Sequence, residues 1–135
     1  MLNVTLKTGK VHQGKDLKIL IAEDDVTSET MLEIMIEDYC KVPLVARNGL
    51  KAVQLCKENP DIDFVLMDMK MPELNGYEAT KLIREFNKDV IIFAQTAFAL
   101  LGDREKAIEA GCNDYISKPI SQSKLTALIH KYFKK

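Results

Sequence analysis

From Lys18 onward, short unbroken apolar runs alternate with longer stretches in which apolar positions recur every three or four residues. The runs "KILIAE" (18–23), "VPLVAR" (42–47), "FVLM" (64–67), "VIIFAQ" (90–95) and "DYISKP" (114–119) read as strands. Between the first two, the stretch from Val26 to Tyr39 sets Leu32, Met35, Ile36 and Tyr39 on one helical face. A second helix is expected over 48–59 with Asn48 as its cap. A third follows Gly76, with Ala79, Leu82, Ile83 and Phe86 on one face. A fourth, less apolar, covers about 100–110 and stops at Gly111, a residue suited to a helix end. The last begins near Ser121 and presents Leu125, Leu128, Ile129 and Tyr132.

This alternation predicts a (βα)5 chain of the α/β class. Strands that are apolar throughout belong in a parallel sheet covered by helices on both faces. Proline cannot donate to a sheet ladder, so Pro43 places the second run at an edge. The order 2-1-3-4-5, the flavodoxin-like doubly wound order, satisfies that constraint and keeps runs 1, 3 and 4 central. Other parallel orders would satisfy the pattern too. Residues 1–16 are polar, carry Gly9 and Gly14, and stand outside the alternation. They are expected to form a leader or linker, with a small hairpin about "KTGK" as an option, ahead of one folded domain over 17–135.

Composition narrows the function classes. Nineteen basic and twenty acidic residues nearly cancel, which gives no support for a nucleic-acid or membrane surface built on bulk charge. Cys40, Cys56 and Cys112 are odd in number and form no CxxC pair, as expected of reduced thiols in a reducing compartment. The first residues hold no long apolar stretch that would read as a signal peptide, and the tract "VIIFAQTAFALL" is too short and too interrupted to span a bilayer. A soluble, cytoplasmic domain is expected.

The chemistry gathers where parallel strands end. The first strand runs into Glu23, Asp24 and Asp25, and the third into Asp68. The fourth ends at Thr96 and the fifth at Ser117 and Lys118. With strands 1 and 3 adjacent at the switch point, Asp68 should lie within a few ångströms of the acidic cluster. Crowded carboxylates repel one another, and a divalent cation offsets them. Oxygen ligands without a nearby His or Cys favour Mg2+. A carboxylate nucleophile, a magnesium ion, a lysine and a hydroxyl together describe a site for a phosphoryl group.

Four ordered signatures, "KILIAEDD", "DFVLMDMKMPELNG", "IIFAQTA" and "DYISKPI", make residues 17–134 resemble a response-regulator receiver domain of two-component signalling. The resemblance implies that Asp68 accepts a phosphoryl group from a histidine kinase or a histidine phosphotransfer domain. It implies Mg2+ held by Glu23, Asp24, Asp68 and the backbone carbonyl of Lys70. Thr96 and Lys118 would contact the phosphoryl group, and Tyr115 would be the aromatic switch residue. A downstream protein would read the surface of the fourth helix, fifth strand and fifth helix, with no direct nucleic-acid or membrane contact. Asp25 more naturally caps the first helix. Lys70 and Phe98, each two residues past a site residue, flank the approach of a hydrolytic water and are expected to lengthen the phosphorylated lifetime.

Such a domain catalyses its own modification without turning over a substrate, so no enzyme is expected. Two rivals fit less well. A haloacid-dehalogenase-type phosphatase wants a second Asp where Lys70 stands. An FMN carrier of the flavodoxin type needs a phosphate-cradling loop where this chain has "EDDVTSE". No room for an output domain is expected after the last helix, which leaves a stand-alone receiver or one cut from a larger protein. The "ILIAEDD" start with the linker-like leader favours the receiver at the end of a hybrid histidine kinase.

Overall fold

The computed structural model describes residues 16–97 and 102–133. The leader expected over 1–16 lies outside them except for Asp16, as does Phe98. Ten elements alternate: β1 (Ile19–Ala22), α1 (Val26–Met35), β2 (Leu44–Ala46), α2 (Gly49–Glu58), β3 (Phe64–Asp68), α3 (Gly76–Phe86), β4 (Ile91–Thr96), α4 (Asp103–Ala110), β5 (Asp114–Ser117) and α5 (Gln122–Phe133). The five strands are parallel in the order β2-β1-β3-β4-β5. The expected order is therefore the observed one, with β2 at an edge. Pro43 precedes that strand rather than lying inside it.

Strand alternation divides the core into two layers. Leu20, Val65, Met67, Ile92 and Ala94 face Ala52 and Cys56 of α2, Ala79 and Ile83 of α3 and Ala107 of α4. Ile19, Ile21, Phe64, Leu66 and Phe93 face Leu32 and Ile36 at α1 and Leu125 and Ile129 of α5. Rings strap α5 to the sheet: Phe64 stacks 5.1 Å from Phe93, which lies 5.4 Å from Tyr132. Each large apolar side chain fully buried this way contributes about 2 kcal/mol.

Side-chain caps start three helices where the sequence offers them. Asp25 accepts from the Ser28 amide, Asn48 from Lys51, and Asn75 forms a capping box with Glu78. Gly111, with φ of 121°, ends α4 as expected. The first helix is shorter than its periodicity suggests, ending at Met35 instead of continuing to Tyr39. There Gln122 of α5 donates to the Met35 carbonyl at 2.8 Å, a tertiary bond that competes with the next helical turn. On α3, Ala79 and Ile83 are buried as expected, but Leu82 and Phe86 are partly exposed and Thr80 takes the remaining inward position.

All three cysteines are free and buried, and burial pushes the Cys56 and Cys112 thiols up to about 11. Among the described residues no helix is long and apolar enough to cross a membrane.

Gly76 sets the turn after β3. Its amide donates to the Met69 carbonyl at 3.0 Å, and a Cβ at this position would stand 2.4 Å from the Asp68 carbonyl oxygen and 2.8 Å from Met69 Cα. Backbone atoms cannot yield cheaply, so Gly76→Ala is expected to cost about 2 kcal/mol in urea unfolding. An unchanged midpoint would contradict this close approach.

Candidate functional site

The carboxyl edge of the sheet opens into a cavity of about 370 Å3, bordered by Glu23, Asp24, Asp68, Lys70, Thr96 and Lys118. These are residues that the strand ends bring together. Glu23 follows β1 directly, and its amide extends the ladder to the Ala46 carbonyl at 2.9 Å. The Asp25 amide donates to its carboxylate at 3.3 Å. Asp68 ends β3, where the Lys70 amide donates to Oδ1 at 3.1 Å. Lys118 is held by its own amide, which donates to the Thr96 carbonyl at 2.7 Å.

Charge is concentrated here. Glu23 is 1% exposed and Asp68 5% exposed, while Asp24 faces solvent. The Lys118 ammonium lies 3.3 Å from Asp68 Oδ2 and 3.4 Å from Glu23 Oε1. Burial, then the neighbouring Asp68 charge, pushes the Glu23 carboxyl up to about 7 despite Lys118. Burial alone would lower the Lys118 pKa, but Asp68 and Glu23 outweigh it and hold it above the ordinary lysine value.

The arrangement fits a divalent cation. Glu23, Asp24 and Asp68 each offer an oxygen, all within 4.8 Å of one another. Three carboxylates exceed what one lysine neutralises, and the oxygen-only donor set with one solvent-facing member suits a magnesium ion that keeps part of its water shell. Asp25 also borders the cavity, and its side chain caps α1 by accepting from the Ser28 amide, as expected.

Thr96 is buried at the cavity wall, with no hydrogen-bond partner for its hydroxyl among the described residues. Tyr115 does not border the cavity. It pairs with Ala94 on β4 and packs into the layer beneath α4, so it is the diagonal neighbour of Thr96 on that face. The Arg104 guanidinium lies 5.8 Å from its ring.

Tyr77, Gln95, Asp103 and Lys106 also border the cavity and were not singled out in the sequence. Tyr77 and Lys106 come from different helices, with the ammonium 4.8 Å from the ring, and only the packing of α3 against α4 joins them. Gln95 carried a signal that could have found it, a polar residue inside an otherwise apolar strand.

Comparisons with known proteins point to one family. The family model of the response regulator receiver domain matches residues 19–130. The polar-differentiation response regulator DivK of Brucella anthropi is 35% identical over 116 residues, covering 84% of this chain and 94% of that regulator. Hybrid signal transduction histidine kinase G of Dictyostelium discoideum is 39% identical over 131 residues, and the match spans 91% of this chain but only 4% of the kinase. Among solved structures, the co-crystal of the Saccharomyces cerevisiae histidine phosphotransfer protein Ypd1 with the Ssk1 receiver domain contains a chain matching with TM-score 0.82 and 34% identity. That match covers 91% of each chain. The receiver domain of the Pseudomonas aeruginosa sensor histidine kinase PA1611, with magnesium in its active-site cleft, matches with TM-score 0.76 and 33% identity. It covers 87% of this chain and 97% of that one.

Proposed function

The chain belongs to the response-regulator receiver domain family of two-component signalling, and we propose that Asp68 is its phosphoacceptor. One observation carries this reading: a nearly buried carboxylate at the head of a cavity, with Lys118 at 3.3 Å and two further carboxylates beside it. A phosphohistidine on a histidine kinase or a histidine phosphotransfer domain is the donor. An Asp68 oxygen attacks phosphorus in line, the phosphorus–nitrogen bond breaks, and its electron pair returns to the imidazole, which takes a proton from solvent. Lys118 and the Thr96 hydroxyl hold the phosphoryl oxygens. Glu23, Asp24, Asp68 and the Lys70 carbonyl would hold Mg2+, whose charge offsets that of the phosphoryl group.

Turning Thr96 toward that group frees space beside Tyr115, and the ring follows. The α4–β5–α5 surface then favours a second arrangement that a downstream protein reads. Lys70, exposed at the cavity mouth, and Phe98 set how readily water reaches the acyl phosphate. The domain works in the cytoplasm, where its cysteines stay reduced, and it turns over no substrate.

The donor's approach is favoured by α1, which begins beside the acidic loop. Val26, Thr30 and Ile34 recur at i+4 along its exposed side with Met31 next to them. A partner bearing phosphohistidine on an apolar helix bundle would seat on this face.

The test is incubation with a small phosphodonor such as acetyl phosphate, followed by intact mass. Addition of one phosphoryl group with Mg2+ and none with a chelator is expected. No added mass on the wild type overturns the reading.

A further inference from the structure

Three polar side chains at the carboxyl edge stand in one row across the sheet. Ala22 pairs with Met67, so Glu23 is level with Asp68, and Asp68 pairs with Gln95. Level residues on adjacent parallel strands share a face, here the one that carries Ile21, Leu66 and Phe93 two residues earlier. Gln95 is the β4 member of this row. It is 1% exposed, and among the described residues neither amide atom of its side chain has a hydrogen-bond partner. Buried amides without partners are rare and destabilising.

Lys118 crosses the strand that carries this amide. Ile116 is level with Gln95 on β5, and Lys118 follows it by two residues. Its ammonium nevertheless reaches Asp68 on β3 and Glu23 on β1. In the order β1-β3-β4-β5, a side chain leaving the end of β5 reaches β3 only by crossing β4. The β4 side chain beneath the crossing is Gln95, which borders the same cavity. The ammonium has three protons, and both of its carboxylate contacts are longer than well-formed charge-assisted bonds, so Lys118 is not locked to either.

We propose that Gln95 is a positioning residue for Lys118, its amide oxygen accepting a hydrogen bond from the ammonium when Asp68 carries a phosphoryl group. This rests on the phosphoacceptor reading. Thr96, the other phosphoryl contact, is on β4, so the phosphoryl group lies toward the β3–β4 side. Drawing Lys118 to it takes the ammonium away from Glu23 on β1 and over Gln95.

Gln95→Met keeps the length of the side chain and removes both amide functions. Without ligand, this variant is expected to melt at a higher temperature than the wild type, because a buried unpartnered amide is gone. With Mg2+ and beryllofluoride, a stable phosphoryl mimic, it is expected to bind about tenfold more weakly. In a Lys118→Met background the same change should cost no further affinity, since Gln95 acts through the lysine. A glutamine of purely structural role would shift the melting temperature and leave beryllofluoride affinity unchanged, which overturns the proposal. An equal loss in the Lys118→Met background also overturns it. Gln95→Leu serves as a second apolar variant if the first folds poorly. A wild type that neither binds beryllofluoride nor gains phosphoryl mass overturns the phosphoacceptor reading, and this proposal with it.

Discussion

Asp68→Ala is expected to lower phosphoryl incorporation more than about 100-fold, to background, because the variant keeps the cavity and loses its nucleophile. Asp24 is the control on this assignment. It lies within the same group of carboxylates and faces solvent, so undiminished labelling of the Asp68 variant would transfer the acceptor role there. The variant also reports on electrostatics. Burial is the larger cause of the raised Glu23 pKa and Asp68 the next, so removing Asp68 lowers that pKa. With one carboxylate fewer, Mg2+ should stabilise the protein less in thermal melts than it does the wild type.

Ile34→Asp is expected to slow phosphotransfer from a protein phosphohistidine donor by tenfold or more and to leave labelling by acetyl phosphate unchanged. Ile34 is 60% exposed on α1, beside Met31 at 51% and with Val26 at 61% one turn beyond Thr30. A charge placed there disturbs little of the folded protein, but it must be desolvated against an apolar partner, and central contacts of this kind govern docking. About 1.4 kcal/mol accounts for each tenfold. Equal slowing with both donors would locate the damage in the Asp68 site and remove α1 from the docking surface.

Most of the site was legible in the sequence because strand ends are legible. An apolar run that stops on a carboxylate, a threonine or a lysine announces which side chain a parallel sheet carries to its edge. Glu23, Asp68, Thr96 and Lys118 were found that way, and the cavity brings them together. Helix lengths were less accessible. The end of α1 at Met35 depends on Gln122, 87 residues away, and no local pattern encodes that bond. Pro43 pointed to the correct edge, although it stands before β2 instead of within it.

"DFVLMDMKMPELNG" and its companion runs determined, by themselves, a doubly wound fold with an acidic magnesium-fitting edge, because apolar period and residue chemistry are local properties. The tertiary structure alone decided the charge balance. Only in the folded sheet does Lys118 reach across β4 to lie 3.3 Å from Asp68, with Glu23 buried beside them and its carboxyl raised to about 7. Only there does Gln95 become a buried amide without a partner. Distance and dielectric are set by packing, and they turn a list of polar residues into a site whose groups depend on one another.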